Sequence, residues 1–196
     1  MMNTRMFVSE TTKFQLSEEE FASLPELKPG VSSILVKWLY KGKYYAIKQN
    51  SHEVKINKIL KEITHLPTIL YAEDFISIGE DGFITPWIDK NIPMESLTIL
   101  ERQLVLDILL ETILHLHKTI KFVHGDINET NFFIVKTDEP IKIEDKEFKS
   151  KYKPLLFDFE FTGLEYKGEI ITRFVRHLDI NHDIVRINGL RELYLK

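Results

Sequence analysis

The sequence predicts an α+β chain: a mostly antiparallel sheet carrying one helix, followed by a mainly helical half. Three observations predict it. Two alternating runs, Ile34 to Tyr40 and Lys43 to Gln49, flank the turn Lys41-Gly42 and read as a hairpin. A helical stripe, Ile56, Leu60 and Ile63, follows directly. A long segment, Thr98 to about Lys118, is apolar nearly all round, as a buried core helix is.

The elements follow in order. Residues 1–13 read as a loose lead-in. Ser17-Glu18-Glu19-Glu20 fits a capping box for a short helix that Pro25 and Pro29-Gly30 close. After the hairpin, Ser51 can cap a helix reaching about His65, which Leu66-Pro67 ends. Tyr71 to Ile78 and Gly82 to Ile88 read as two more strands joined at Glu80-Asp81-Gly82. Thr98 with Glu101 forms a second capping box for the long helix. Short strands near 132–135 and 154–158 flank an insert, Lys136 to Lys153, in which eleven of eighteen residues are charged; it reads as a solvated hairpin loop. The tail from about Leu178 to Tyr194 reads as helix. Three regions result: 1–29, 30–88 and 89–196.

Composition narrows the function classes. With 196 residues there is room for one sizeable core or two small lobes. A net charge of −4 without a dominant basic face argues against nucleic acid as partner. No cysteine is present, so disulfides and thiolate metal sites are excluded, which fits a reducing compartment. The N-terminus has no long apolar run to act as a secretory signal. Leu104 to Leu116 carries Asp107, Glu111 and His115 and is too short to span a bilayer. A cytoplasmic protein without membrane contact is expected. His115, His117 and His124 match no familiar metal spacing.

The chemistry concentrates in Val123-His124-Gly125-Asp126-Ile127-Asn128-Glu129-Thr130-Asn131 and in Leu155-Leu156-Phe157-Asp158-Phe159-Glu160. Asp126 and Asn131, five positions apart between apolar runs, can present two oxygens at one turn; Asp158, ending another apolar run, supplies a third. Such a set can place a hydroxyl nucleophile and hold magnesium against a triphosphate. Elsewhere, Ala46 and Lys48 share one face of their strand. Glu53 lies on the stripe of Ile56 and Leu60, where it either finds a cationic partner or complements the helix dipole.

His-Gly-Asp…Asn followed by Asp-Phe-Glu resembles the catalytic loop and metal-binding motif of the protein-kinase-like superfamily. The resemblance covers roughly Gly30 to Leu190. It implies a bilobal fold with a small antiparallel-sheet N-lobe and a truncated helical C-lobe, and an ATP-dependent phosphotransferase using magnesium, with manganese as substitute. Tyr45-Ala46-Ile47-Lys48 is similar to the strand whose lysine reaches the phosphates and whose alanine lines the adenine slot; Glu53 would pair Lys48. Gly30-Val31-Ser32-Ser33 resembles the phosphate loop of small-molecule kinases. Phe83 to Ile88 occupies the place of the hinge, where the Pro86 carbonyl and Ile88 amide would read adenine; an ordinary edge strand is the other reading. Asp126 would be the base, and Asn131 and Asp158 the metal ligands. Asp183 matches either the helix aspartate that braces the loop or a solvated side chain. Gly125 in place of arginine, and the absence of Ala-Pro-Glu, imply no control by activation-loop phosphorylation. Glu160 in place of glycine resembles the choline- and aminoglycoside-kinase branch, while His-Gly-Asp also occurs in the small kinase of the KEOPS complex. The shortness of the chain resembles minimal kinases, including short effector and viral ones that enter host cells, and favours a protein Ser/Thr acceptor and a regulatory protein partner. A small-molecule phosphotransferase and a partner-binding pseudokinase are the alternatives.

Overall fold

The computed structural model describes residues 6–27, 34–173 and 178–196. The described residues form a mixed α/β structure with antiparallel sheets and four α-helices. The chain divides into two compact units: residues 1–62 with 71–87, and residues 63–70 with 88–196.

In the first unit, strands β1 (Met6–Val8) and β2 (Gln15–Ser17) pair antiparallel and lead into helix α1 (Glu18–Ser23). Ser17 caps α1 by accepting the Glu20 amide at 3.0 Å. Then come β3 (Ile34–Tyr40), β4 (Lys43–Gln49), α2 (Ser51–Ile63), β5 (Asp74–Ile78) and β6 (Glu80–Pro86). The four strands form one antiparallel sheet in the order β3-β4-β6-β5. Its alternation sorts the side chains. Val36, Trp38, Tyr45, Ile47, Ile76 and Ile84 share one core with Phe7, Phe14 and Leu16. On the other face Phe75 and Phe83 pack with Val54 of α2 and Ala72.

Residues 1–13, read as a loose lead-in, therefore contain a strand of the hydrophobic core. Phe7, opposite Leu16 in the β1–β2 register, is buried, and Phe14 is fully so. The Phe14 ring meets Tyr45 edge-on at 4.9 Å. Two strands of three residues are too short to show a period of two, so sequence alternation does not reveal them. The hairpin is also tied to β5: the Glu10 amide donates to the Phe75 carbonyl at 2.8 Å, and the Thr11 hydroxyl donates to buried Asp74. Burial pushes the Asp74 carboxyl up, but hydrogen bonds from Ser9, Thr11 and the Phe75 amide outweigh it and hold the group below its ordinary value.

The α2 cap is also corrected. Asn50, not Ser51, takes that role: its carbonyl oxygen Oδ1 accepts the Glu53 amide at 3.1 Å. Both residue types cap well, and only the backbone register chooses between neighbours.

The second unit is built on α3 (Ile99–Ile120), whose capping box at Thr98 and Glu101 has both reciprocal hydrogen bonds. Val105, Leu106, Ile108, Leu109, Ile113 and Leu116 are all fully buried. Strand β7 (Phe132–Lys136) follows, then β8 (Ile141–Ile143), β9 (Lys146–Phe148) and β10 (Tyr152–Leu156). β10 returns antiparallel to β7, and β8 pairs with β9. The charged insert is thus a hairpin, anchored by buried Ile141 and Ile143 rather than wholly solvated. Strands β11 (Leu164–Tyr166) and β12 (Glu169–Ile171) form a further hairpin, and α4 (Asn181–Tyr194) packs on α3. Arg191 on α4 reaches Asp107 on α3 at 2.5 Å. No helix among the described residues is long and apolar enough to cross a membrane.

Candidate active site

In the first unit the period of two on β4 turns Tyr45, Ile47 and Gln49 inward and leaves Ala46 and Lys48 half-buried on the opposite face. Lys48 Nζ lies 2.5 Å from Glu53 Oε1, one turn into α2. Glu53 is completely buried, so an unpaired carboxylate there would be costly; the ammonium group supplies the opposite charge. Pro86 ends β6, opposite Tyr45 in the register, and Trp87 donates its amide to the Tyr44 carbonyl at 3.1 Å. Ile88, half-exposed, begins the second stretch of the second unit. Ser32 and Ser33 lie outside the described residues.

In the second unit the turn after α3 gathers most of the remaining residues. Val123 exchanges both backbone hydrogen bonds with Gly163, at 2.8 and 2.9 Å, and this fixes the entry to the loop. Gly125 sits at φ +82°, a conformation that side chains with a Cβ rarely adopt. The turn directs two successive amides at one carboxylate. The His124 amide donates to Asp183 Oδ2 at 2.6 Å, and the Gly125 amide to Asp183 Oδ1 at 3.0 Å. Asp183, in the first turn of α4, is fully buried. Of its two readings, the brace is the one observed.

Asn131 closes the loop from the other side. Its Nδ2 donates to the Asp126 carbonyl and to Asp126 Oδ2, both at 2.8 Å. That fixes the Asp126 side chain and orients the amide oxygen of Asn131 away from it. Asn131 is buried and Asp126 half-exposed. The Asn131 carbonyl accepts the Phe157 amide at 3.1 Å, which brings the residue preceding Asp158 alongside the loop.

His124 bridges the same two segments. Its Nε2 lies 2.9 Å from the Phe157 carbonyl, and the Asp126 amide points at its Nδ1 at 3.4 Å. A carbonyl can only accept and an amide only donate, so the proton resides on Nε2. Burial pushes the His124 pKa below its ordinary value, against the opposing pull of Asp183, the Phe157 carbonyl, Asp158 and Asp126. The ring is therefore neutral near pH 7 and acts as a strut.

Asp158 has left-handed backbone, φ +62°, which for a residue with a Cβ costs on the order of 1 kcal/mol or more. A short 3-10 turn, Phe159–Phe161, follows it. A carboxylate oxygen of Asp158 and one of Glu160 lie within 4.8 Å of each other. Glu160, which in the sequence marks only a departure from the usual glycine, thus stands beside Asp158 as a second carboxylate. Phe133 and Phe157, absent from the sequence-predicted site, stack their rings 4.2 Å apart and 13° from parallel on the half-exposed face of the β7–β10 ribbon. No local sequence signal pairs them, because only the β7–β10 register brings their rings together.

No protein-family model matches the chain, and no curated protein matches it. Among solved structures it is similar to the crystal structure of Rad53 1-466 in complex with AMP-PNP, with a TM-score of 0.49 and 17% identity. That match covers 71% of this chain and 38% of the Rad53 chain, so the protein spans well under half of its length.

Proposed function

We propose that this protein is a kinase-like phosphotransferase that moves the γ-phosphoryl group of ATP to a Ser or Thr hydroxyl of a protein. The observation that carries this reading is the loop in which Asp183 fixes the His124 and Gly125 amides while Asn131 fixes the Asp126 carboxylate. A carboxylate held by a buried frame and itself half-exposed suits a base that must meet a hydroxyl from solvent.

The donor set near it is all oxygen: the Asn131 amide oxygen and the Asp158 and Glu160 carboxylates. This chemistry fits a hard cation such as magnesium. When bound, Mg·ATP would supply the electrophilic phosphorus and neutralise the charge of its own phosphates. Asn131 and Asp158 would hold the metal, and Lys48, oriented by Glu53, would contact phosphate oxygens. The stacked Phe133 and Phe157 offer a flat aromatic surface for a nucleobase. Asp126 orients the acceptor hydroxyl and takes its proton. The acceptor oxygen bonds to the γ-phosphorus as the bond to the β–γ bridging oxygen breaks, and ADP leaves. The resemblance of Asp158-Phe159-Glu160 to the choline- and aminoglycoside-kinase branch favours one other reading, transfer to a small-molecule alcohol.

The test is metal-dependent ATP turnover by the wild type beside Asp126→Ala and Asp158→Ala, with protein pools and with aminoglycoside, choline and sugar pools as acceptors. Loss of transfer by about 10²-fold or more in both variants is expected. Equal transfer by all three proteins refutes the assignment, and transfer only to small alcohols replaces the protein acceptor.

A further inference from the structure

The second unit contains a cavity of about 210 Å³ beside the Asp126 loop. Its floor is apolar: Met94, Phe132 and Ile134 are each at least 96% buried. Its other walls include Glu95, Glu129 and Tyr194. Glu129 stands three residues after Asp126, and Phe132 directly follows Asn131. At this volume the cavity is below the roughly 300–1,000 Å³ of sites that enclose a whole small molecule, but it suits one long side chain.

The chemistry of the walls selects that side chain. Glu95 and Glu129 are exposed, and neither has an ion pair among the described residues. The cation nearby, Arg102, directs its guanidinium at the backbone carbonyls of Met94, Glu95 and Tyr194, at 3.0, 2.7 and 3.1 Å. It ties the end of α4 to the start of α3 and shapes the wall without pairing the two carboxylates. Tyr194 donates to Glu95 Oε1 at 3.3 Å. Its hydroxyl pKa is raised, first by burial and then by the charges of Glu95 and Glu129, against the smaller opposing pull of Arg102, so the negative field of the two carboxylates reaches the cavity. An apolar well with an anionic, aromatic rim complements a side chain with a greasy stem and a cationic head.

We propose that this cavity is a specificity subsite for an arginine or lysine side chain of the acceptor protein. The proposal deepens the transferase reading above and rests on it for the word acceptor. It makes the acceptor a basic segment, with its hydroxyl presented to Asp126 while the cation is seated between Glu95 and Glu129.

The experiment separates binding from turnover. Backbone amide NMR spectra of the full chain are titrated with acetyl-arginine amide and with its neutral isostere acetyl-citrulline amide. The same is done for Glu95→Gln, Glu129→Gln and the double variant. Shifts confined to residues around 94–95, 129, 132–134 and 194 with the arginine probe alone are expected. Each substitution should weaken them by about two- to fivefold, and added salt should do the same. Equal binding of both probes, no binding, or binding untouched in the double variant overturns the subsite. In parallel, Ser peptides with arginine or citrulline flanking the hydroxyl are assayed for phosphorylation. Transfer that is indifferent to that charge refutes the subsite and leaves the transferase standing; charge-selective binding without transfer to either peptide supports the cation site and removes the transferase.

Discussion

Replacing Asp183 by Asn tests the frame on which the candidate site depends. The carboxylate accepts two amides, at 2.6 and 3.0 Å, in a fully buried position. Asparagine keeps the shape but offers one oxygen and one NH2 group to two N–H donors. One hydrogen bond to a charged acceptor, worth about 1.5–3 kcal/mol, is lost, and the other becomes an ordinary one of about 1 kcal/mol. Removing a buried charge also removes its desolvation penalty, which brings the net loss towards about 2 kcal/mol. For a chain of this length that corresponds to a fall in Tm of roughly 4–8 °C. Asp183→Ala, which removes both acceptors, should fall further. Thermal unfolding followed by circular dichroism measures both. A Tm for Asp183→Asn within about 1 °C of wild type would refute the brace.

Two further outcomes are expected. Because burial lowers the His124 pKa, the unfolded chain binds the proton more readily; the stability tied to a neutral ring is complete above about pH 6.5 and is lost below it, by up to about 1.4 kcal/mol per pH unit. Urea unfolding from pH 7.5 to 5 should therefore be flatter for His124→Gln, which can still donate to the Phe157 carbonyl, and parallel curves would sink the argument. Lys48→Met removes the opposite charge beside the buried Glu53 carboxylate and should cost about 3 kcal/mol, the lower end for a broken buried pair because the Lys48 side chain is 14% exposed. A double cycle with Glu53→Gln should recover part of this loss, whereas additivity within about 0.5 kcal/mol would show no coupling.

The features legible in the sequence were those fixed within a turn or a strand. The Thr98–Glu101 box is read from residues three apart because both of its hydrogen bonds close within one turn. Ala46 and Lys48 share a face by strand parity alone, and α3 is recognisable by apolarity around its whole circumference. What the sequence left open depended on contacts between distant residues. Asp183 could be read as solvated until its meeting with amides 58 and 59 positions away was seen. Phe133 and Phe157 become a stacked pair only through the β7–β10 register. The β1–β2 hairpin is held by the core that covers Phe14 rather than by strand propensity.

His124 links two polypeptide segments through opposite edges of one planar ring, with Asp126 on one side and the neighbour of Asp158 on the other. The buried ring keeps the two segments in register through one contact at 2.9 Å and a longer one at 3.4 Å. The backbone beside Asp126 and the backbone beside Asp158 therefore share one buried support, and a substitution at that single position bears on both halves of the candidate site.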